Sequence, residues 1–242
     1  MNDWLNKNRE ETDAHRMPEK FIGNVSVTNP ALGINIYNRA IPKDTCEYSI
    51  DTLEKNLGPS TKYNWQPAIV TESNEPLLEA RYCLDFKIGQ NNLGDRDESN
   101  SIFYDMHESV FRSIYQCSQD YGAYWGVGVN YFEVFNFVKY ESPGHHFNIH
   151  ADHGPAYVTT VSIVAYLNDN YEGGELYFPR FDLTIKPNQG DVVMFPSTFI
   201  YEHASKPMIS GTKYSVVVMT DYNSRGNLRY YPYREQDQRL VY

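Results

Sequence analysis

From Tyr131 to Tyr222 the hydropathy pattern has a period of two, and this constrains the fold more than any other feature of the chain. Alternate side chains of a strand point to opposite faces, so such segments suit a half-buried sheet. Segments 131–140, 145–152, 156–168, 175–179, 191–195, 200–205 and 212–222 all read as strands. Turn residues separate them: Pro143-Gly144, Gly173-Gly174, Pro187 with Gly190, and Gly211. Seven short strands within about 90 residues predict a double-sheet jelly roll or a barrel. Two helical patterns come first. Cys46, Ile50, Leu53 and Leu57 recur at helical spacing behind Asp44 and Glu47, which have the form of a capping box. Phe103, Met106, Val110, Ile114, Cys117 and Tyr121 trace a second, longer seam. The expected architecture is mainly β with flanking α-helices packed outside the barrel.

The 242 residues fit one domain over 31–222, preceded by a polar arm over 1–30 and followed by an Arg/Tyr-rich tail or flap over 223–242. Twenty-one tyrosines agree with a β-rich chain, because aromatic rings suit pleated surfaces. The net charge of −10 argues against binding nucleic acid or anionic lipid, since phosphate contact needs a basic path. No apolar run is long enough to span a bilayer, and the first residues carry no apolar stretch. Cys46, Cys83 and Cys117 are odd in number and widely spaced, which suits a reducing compartment. A cytoplasmic location is therefore expected, with the cysteines as inert core fillers.

His145, His146, His150 and His153 crowd together, with Asp152 among them. On an unbroken strand His146, Asn148, His150 and Asp152 would share a face. An imidazole and a carboxylate side by side can hold a divalent metal, but an H-x-D triplet alone is a weak signal. Context strengthens it. His203 lies in a separate strand, and two histidines with one carboxylate form the facial triad of non-haem Fe(II) oxygenases, which leaves open coordination positions. Lys213 follows the turn SKPMISG and stands inside the next strand, TKYSVVVMTDY. It is either a strand-edge surface lysine or a cation reaching the far carboxylate of a 2-oxo acid co-substrate. His145 and His153 read as surface histidines, and His146 has no assigned role.

The order His150-x-Asp152, then His203, then Lys213 within Gly211-Thr-Lys-Tyr resembles the 2-oxoglutarate/Fe(II)-dependent dioxygenases, and within them the prolyl 4-hydroxylases. Tyr140 followed by Pro143-Gly144 and Phe147 is similar to the family's Tyr–Gly–aromatic lead-in. AYLND with Tyr166, EGGELYFP, GDVVMFPS and PMISGTKYSVVVM are similar to its later strands. The resemblance runs from about Ile34 to Asp221 and is most specific over 140–220. It implies a double-stranded β-helix (jelly-roll, cupin-like) core with Fe(II) held by His150, Asp152 and His203. It implies that Lys213 binds the distal carboxylate of 2-oxoglutarate, that Tyr166 assists and that Tyr140 lines the pocket. The implied reaction consumes 2-oxoglutarate and O2, with ascorbate as an accessory cofactor. It releases succinate and CO2 while hydroxylating a C–H bond, of the procollagen-proline (prolyl 4-hydroxylase) type, in a peptide or protein substrate containing proline. Asp152 favours hydroxylation, because related halogenases lack that carboxylate. One departure stands out: Leu176 occupies a position where many prolyl hydroxylases carry Thr, so that contact to the co-substrate does not transfer.

The competing reading is a non-catalytic jelly-roll protein, binding or structural, whose histidines hold zinc or nothing. Lys213 separates the two, because a plain zinc site has no use for a cation beside it. Within the enzyme reading, a free amino acid, lipid or nucleobase is the alternative substrate, the last disfavoured by net acidity.

Overall fold

The computed structural model describes residues 20–22, 25–70, 76–88, 93, 96–129, 131–141, 143–154 and 159–221. The expected tail over 223–242 and residues 1–19 of the arm lie outside the described residues. Strands are numbered in chain order. One large antiparallel sheet runs β1 (Lys20–Ile22), β2 (Val25–Ala31), β3 (Ile34–Asn38), β14 (Val192–Pro196), β10 (Val161–Tyr166), β17 (Thr212–Asp221), β8 (Phe135–Glu141), β6 (Leu84–Ile88), β4 (Gln66–Pro67). Facing it is a smaller sheet in the order β13 (Leu183–Ile185), β12 (Leu176–Phe178), β15 (His203–Ser205), β9 (His146–His150), β5 (Arg81–Tyr82). β7 (Tyr131–Phe132) pairs with the end of β17, and β11 (Glu172–Gly173) pairs with β16 (Met208–Ser210).

Period-two patterning decides which way each central strand faces. On β10 and just beyond it, Val161, Ile163, Ala165 and Leu167 pack into the cluster that carries the helices. Val164 and Tyr166 point the other way, into the space between the sheets, against Leu176, Phe178 and Phe195. β8 divides in the same manner: Phe135 and Phe137 face the helices, while Val138 and Tyr140 face inward. β17 places Tyr214, Val216 and Val218 on the helix side, which leaves Lys213 and Ser215 buried on the inner face. The expected jelly-roll arrangement with external helices is the one observed.

The helices α1 (Lys43–Asn56) and α2 (Ser101–Trp125) back the large sheet. Every residue of the long seam expected on α2 is buried, and Gly126 ends the helix in the left-handed region. The capping box expected at Asp44 does not form. Pro42 is the N-cap, so Asp44 already lies in the first turn, where its carboxylate accepts from the Thr45 N–H. Glu47 pairs with Lys43 at 3.5 Å instead. An acidic side chain there still favours the helix through the dipole. Cys46, Cys83 and Cys117 are free and buried. Among the described residues no helix is long and apolar enough to cross a membrane.

Candidate active site

Three side chains meet at the mouth of the space between the sheets. His150 ends β9, Asp152 follows in a bend, and His203 begins β15, directly paired with His150 across the ladder. Their ligating atoms lie within 4.8 Å of one another. His150 Nε2 is 3.4 Å from Asp152 Oδ1, and His203 Nε2 is 3.7 Å from Asp152 Oδ2. The other ring nitrogens point at backbone carbonyls: His150 Nδ1 at Asn148 O (2.8 Å) and His203 Nδ1 at Tyr201 O (3.2 Å). A proton on Nδ1 donates to the carbonyl, and the Nε2 lone pair is then free to bind a metal.

The strand that delivers His150 carries a bulge. Residues 147 and 150 of β9 oppose 205 and 203 of β15, three steps against two. One extra residue reverses the side-chain parity between Phe147 and His150. Both rings therefore turn inward and stack, with centroids 3.6 Å apart. This corrects the expected shared face of His146, Asn148 and His150. The side chains of His146 and Asn148 reach the Glu79 carbonyl instead. His145 is a second correction: it is buried, packs on Tyr82 and accepts the Glu141 N–H through Nδ1.

Asp152 is also gripped from the large sheet, where the Ser162 hydroxyl donates to Oδ2 at 2.6 Å and is itself within 2.8 Å of Ser197 Oγ. Burial pushes the Asp152 carboxyl up, but the two histidines and Ser162 outweigh it and hold the group ionised, well below the usual carboxylate range. Burial pushes the His203 imidazole down to about 4, against the pull of Asp152. Two imidazoles and one carboxylate with converging ligand atoms fit a divalent first-row metal such as Fe(II).

Deeper along the same strand the pocket ends in a cation. Ser205 lies two residues beyond His203, about 7 Å along β15 and on the same side. Lys213, reaching in from β17, donates to Ser205 Oγ at 2.5 Å and to the Gly174 carbonyl at 2.7 Å. Its ammonium sits 4.0 Å from the centre of the Tyr140 ring. Lys213 is 2% exposed, and burial pushes its pKa down to about 7, opposed by Cys83 and Glu175. It is not a strand-edge surface lysine. Tyr166 and Tyr140 are both buried and face the same space, and burial keeps both phenols neutral by raising them well above their ordinary range.

Sequence reasoning passed over Ser205, Ser162 and Arg81. Ser205 was visible as the residue two steps after a candidate ligand on a strand. Ser162 and Arg81 had no such local signal. Arg81 stacks its guanidinium on Phe147 at 4.8 Å from the ring centre, a neighbour created by the pairing of β5 with β9.

Residues 135–220, which include the three candidate ligands, Tyr140, Ser162, Tyr166, Ser205 and Lys213, match the family model described as the 2OG-Fe(II) oxygenase superfamily. A PKHD-type hydroxylase of Crocosphaera subtropica is 36% identical over 90 residues, 34% of this chain and 39% of the relative. The chain thus spans about two fifths of the length of that curated relative. Among solved structures, a Trichoplax adhaerens prolyl hydroxylase in complex with a hypoxia inducible factor peptide fragment superposes with a TM-score of 0.62 at 15% identity, covering 84% of this chain and 88% of that one. A viral collagen prolyl hydroxylase from Paramecium Bursaria Chlorella virus-1 gives 0.53 at 16% identity, covering 78% and 95%. A Pseudomonas putida prolyl-4-hydroxylase gives 0.50 at 19%, covering 78% and 92%. At such identities the structural likeness speaks for the fold. Taken with the sequence match across the site-bearing strands, it identifies the chain as one that resembles the 2-oxoglutarate/Fe(II)-dependent oxygenases and shares the fold of the solved prolyl hydroxylases.

Proposed function

We propose that the chain is a 2-oxoglutarate- and Fe(II)-dependent dioxygenase that hydroxylates a C–H bond, with peptidyl proline as the substrate and carbon 4 as the target. The observation that carries the proposal is Lys213, a buried cation with neutral hydrogen-bond partners, one of which, Ser205, lies two residues beyond His203 of the candidate triad. A zinc-only or structural site gives that cation no purpose. A five-carbon 2-oxo diacid does, by joining the metal at one end to the ammonium at the other. His150, Asp152 and His203 would hold Fe(II), which with 2-oxoglutarate and O2 supplies the oxidising chemistry for C–H hydroxylation and yields succinate and CO2.

The residues of the chain bind and orient. Nδ1 protons on both histidines keep Nε2 available as a ligand atom, and Ser162 fixes the Asp152 carboxylate. Lys213 supplies a charge-assisted hydrogen bond to the distal carboxylate. Val164, Tyr166, Leu176 and Phe178 line the space between the sheets and exclude water from it. The relatives named as prolyl hydroxylases, one of them in complex with a peptide fragment, support a peptide as the substrate class.

The test is succinate formation from 2-oxoglutarate by purified protein with Fe(II), O2 and ascorbate, followed by mass spectrometry of proline-containing peptides for a gain of one oxygen. His150→Ala should lose more than the about 10- to 100-fold that removing a ligand's hydrogen-bond partner typically costs. His146→Ala, whose imidazole contacts the Gly144 and Glu79 carbonyls, should retain most of it. Equal losses in the two variants would sink the ligand assignment. Succinate formed with no oxygen gained by any proline peptide would sink the substrate class alone.

A further inference from the structure

The two histidines of the triad are not supported alike. His203 packs against Phe195 and Phe178, with ring centres 4.7 and 5.8 Å away, and its side chain is 8% exposed. The His150 side chain is 22% exposed. Among the described residues its one aromatic neighbour besides His203 is Phe147, stacked at 3.6 Å with the ring planes 18° apart. His150 also ends a strand, between a bulge and a bend, and rotation of an imidazole about its Cβ–Cγ bond is broad and roughly twofold. The carbonyl that its Nδ1 faces belongs to Asn148, two residues back on the same short strand. The aim of His150 Nε2 therefore depends on where the Phe147 ring lies.

Phe147 is itself held from β5. The imidazole fills one face of its ring, so the Arg81 guanidinium, 4.8 Å from the ring centre, covers the other. Arg81 and Phe147 are direct partners in the β5–β9 ladder. Arg81 Nη1 donates to the Ile69 carbonyl at 3.1 Å, Nη2 lies 3.9 Å from Asp85 Oδ2, and the Cys83 thiol stands beside the same group. These contacts fix the plane of the guanidinium as well as its charge. We propose that Arg81 is a positioning residue for the metal centre, clamping Phe147 against His150 and so aiming His150 Nε2 at the metal. This rests on the metal reading of the triad and is independent of the co-substrate. The plane matters, because an ammonium in the same place keeps a charge opposite Asp85 but has no flat face to lay on the ring. A ligand is only as well aimed as the groups behind it.

The experiment is titration of the metal-free full chain with Co(II), read as a dissociation constant and as the visible absorption of the bound ion, which follows coordination geometry. Arg81→Lys should weaken Co(II) by about tenfold, the lower end of what losing a ligand's supporting contact costs, and should change the visible bands. Phe147→Leu, which leaves the Asp85 contact untouched, should do the same. Because Arg81 acts through the ring, the double variant should match Phe147→Leu within about twofold, whereas independent effects would multiply to about 100-fold. Multiplied losses overturn the proposal, since Arg81 then reaches the site by another route. So does an Arg81→Lys protein with wild-type affinity and spectrum. Should Arg81→Lys not fold, the same comparison is made with Arg81→Gln, and wild-type affinity and spectrum in Phe147→Leu overturn the proposal whichever Arg81 variant is used. A wild-type chain that binds no Co(II) rejects the metal reading itself, a failure distinct from that of Arg81.

Discussion

A buried ammonium with only neutral partners costs stability, and Lys213 is such a group. Burial lowers its pKa to about 7, whereas in the unfolded chain it returns to the ordinary lysine value near 10.4. Between those two values the unfolded state holds a proton that the folded state has released, so stability rises with pH across that window. Below about pH 7 the folded state must carry the desolvated charge, and the penalty is complete. Lys213→Met, similar in length and uncharged, should therefore stabilise the metal-free protein by about 1–4 kcal/mol at pH 6. Most of that gain should vanish by pH 9.5, while 2-oxoglutarate binding is lost at either pH. Urea denaturation at the two pH values reads the result. A gain independent of pH would mean that packing rather than charge is responsible. A site that costs stability until its ligand arrives is the usual mark of function.

At the scale of the elements, the bend between β11 and β12 matters as much as the strands. Gly174 sits there at a φ of +66°, and its carbonyl receives the Lys213 ammonium. A Cβ at this position would lie 2.6 Å from Met208 Sδ and 3.3 Å from Lys213 Nζ. Gly174→Ala thus combines a left-handed backbone cost of about 1–2 kcal/mol with displacement of the cation. The expected result is a 2-oxoglutarate Kd raised at least about tenfold, with Mn(II) affinity within about twofold of wild type. A variant losing both affinities together would show that the bend supports the whole mouth of the barrel. What the sequence made legible follows the same division. The long strands and the α2 seam were readable because burial repeats within each segment. His150 with Asp152, and His203 with Lys213, were readable from short spacings, and the family resemblance joined the two pairs. The β9 bulge was not, because it is a property of two strands in register rather than of one. The capping box at Asp44 failed because the helix is capped at Pro42, two residues earlier than the pattern implies.

For the whole molecule the question is whether the two sheets unfold together. His150, Asp152 and His203 all come from the small sheet or the bend after it, yet Asp152 is tied by Ser162 to β10 at the centre of the large sheet. The inner cluster joins the sheets through Val164, Tyr166, Phe178 and Phe195. β10 carries that cluster on one face and the helix-bearing cluster on the other. Such continuity makes one cooperative unit, so a ligand of the small sheet should stabilise everything. Redox-silent Mn(II) at 100 times its Kd should add about 2.7 kcal/mol, or roughly 5–10 °C in Tm for a chain of this size. Far-ultraviolet circular dichroism, which follows strands and helices, and tyrosine signals, which follow packing, should move by the same amount. His150→Ala should abolish the shift in both. Two separate transitions, only one of them moved by Mn(II), would instead make the small sheet a module that unfolds by itself, and the Asp152–Ser162 bond would then be a contact between modules rather than part of a single core.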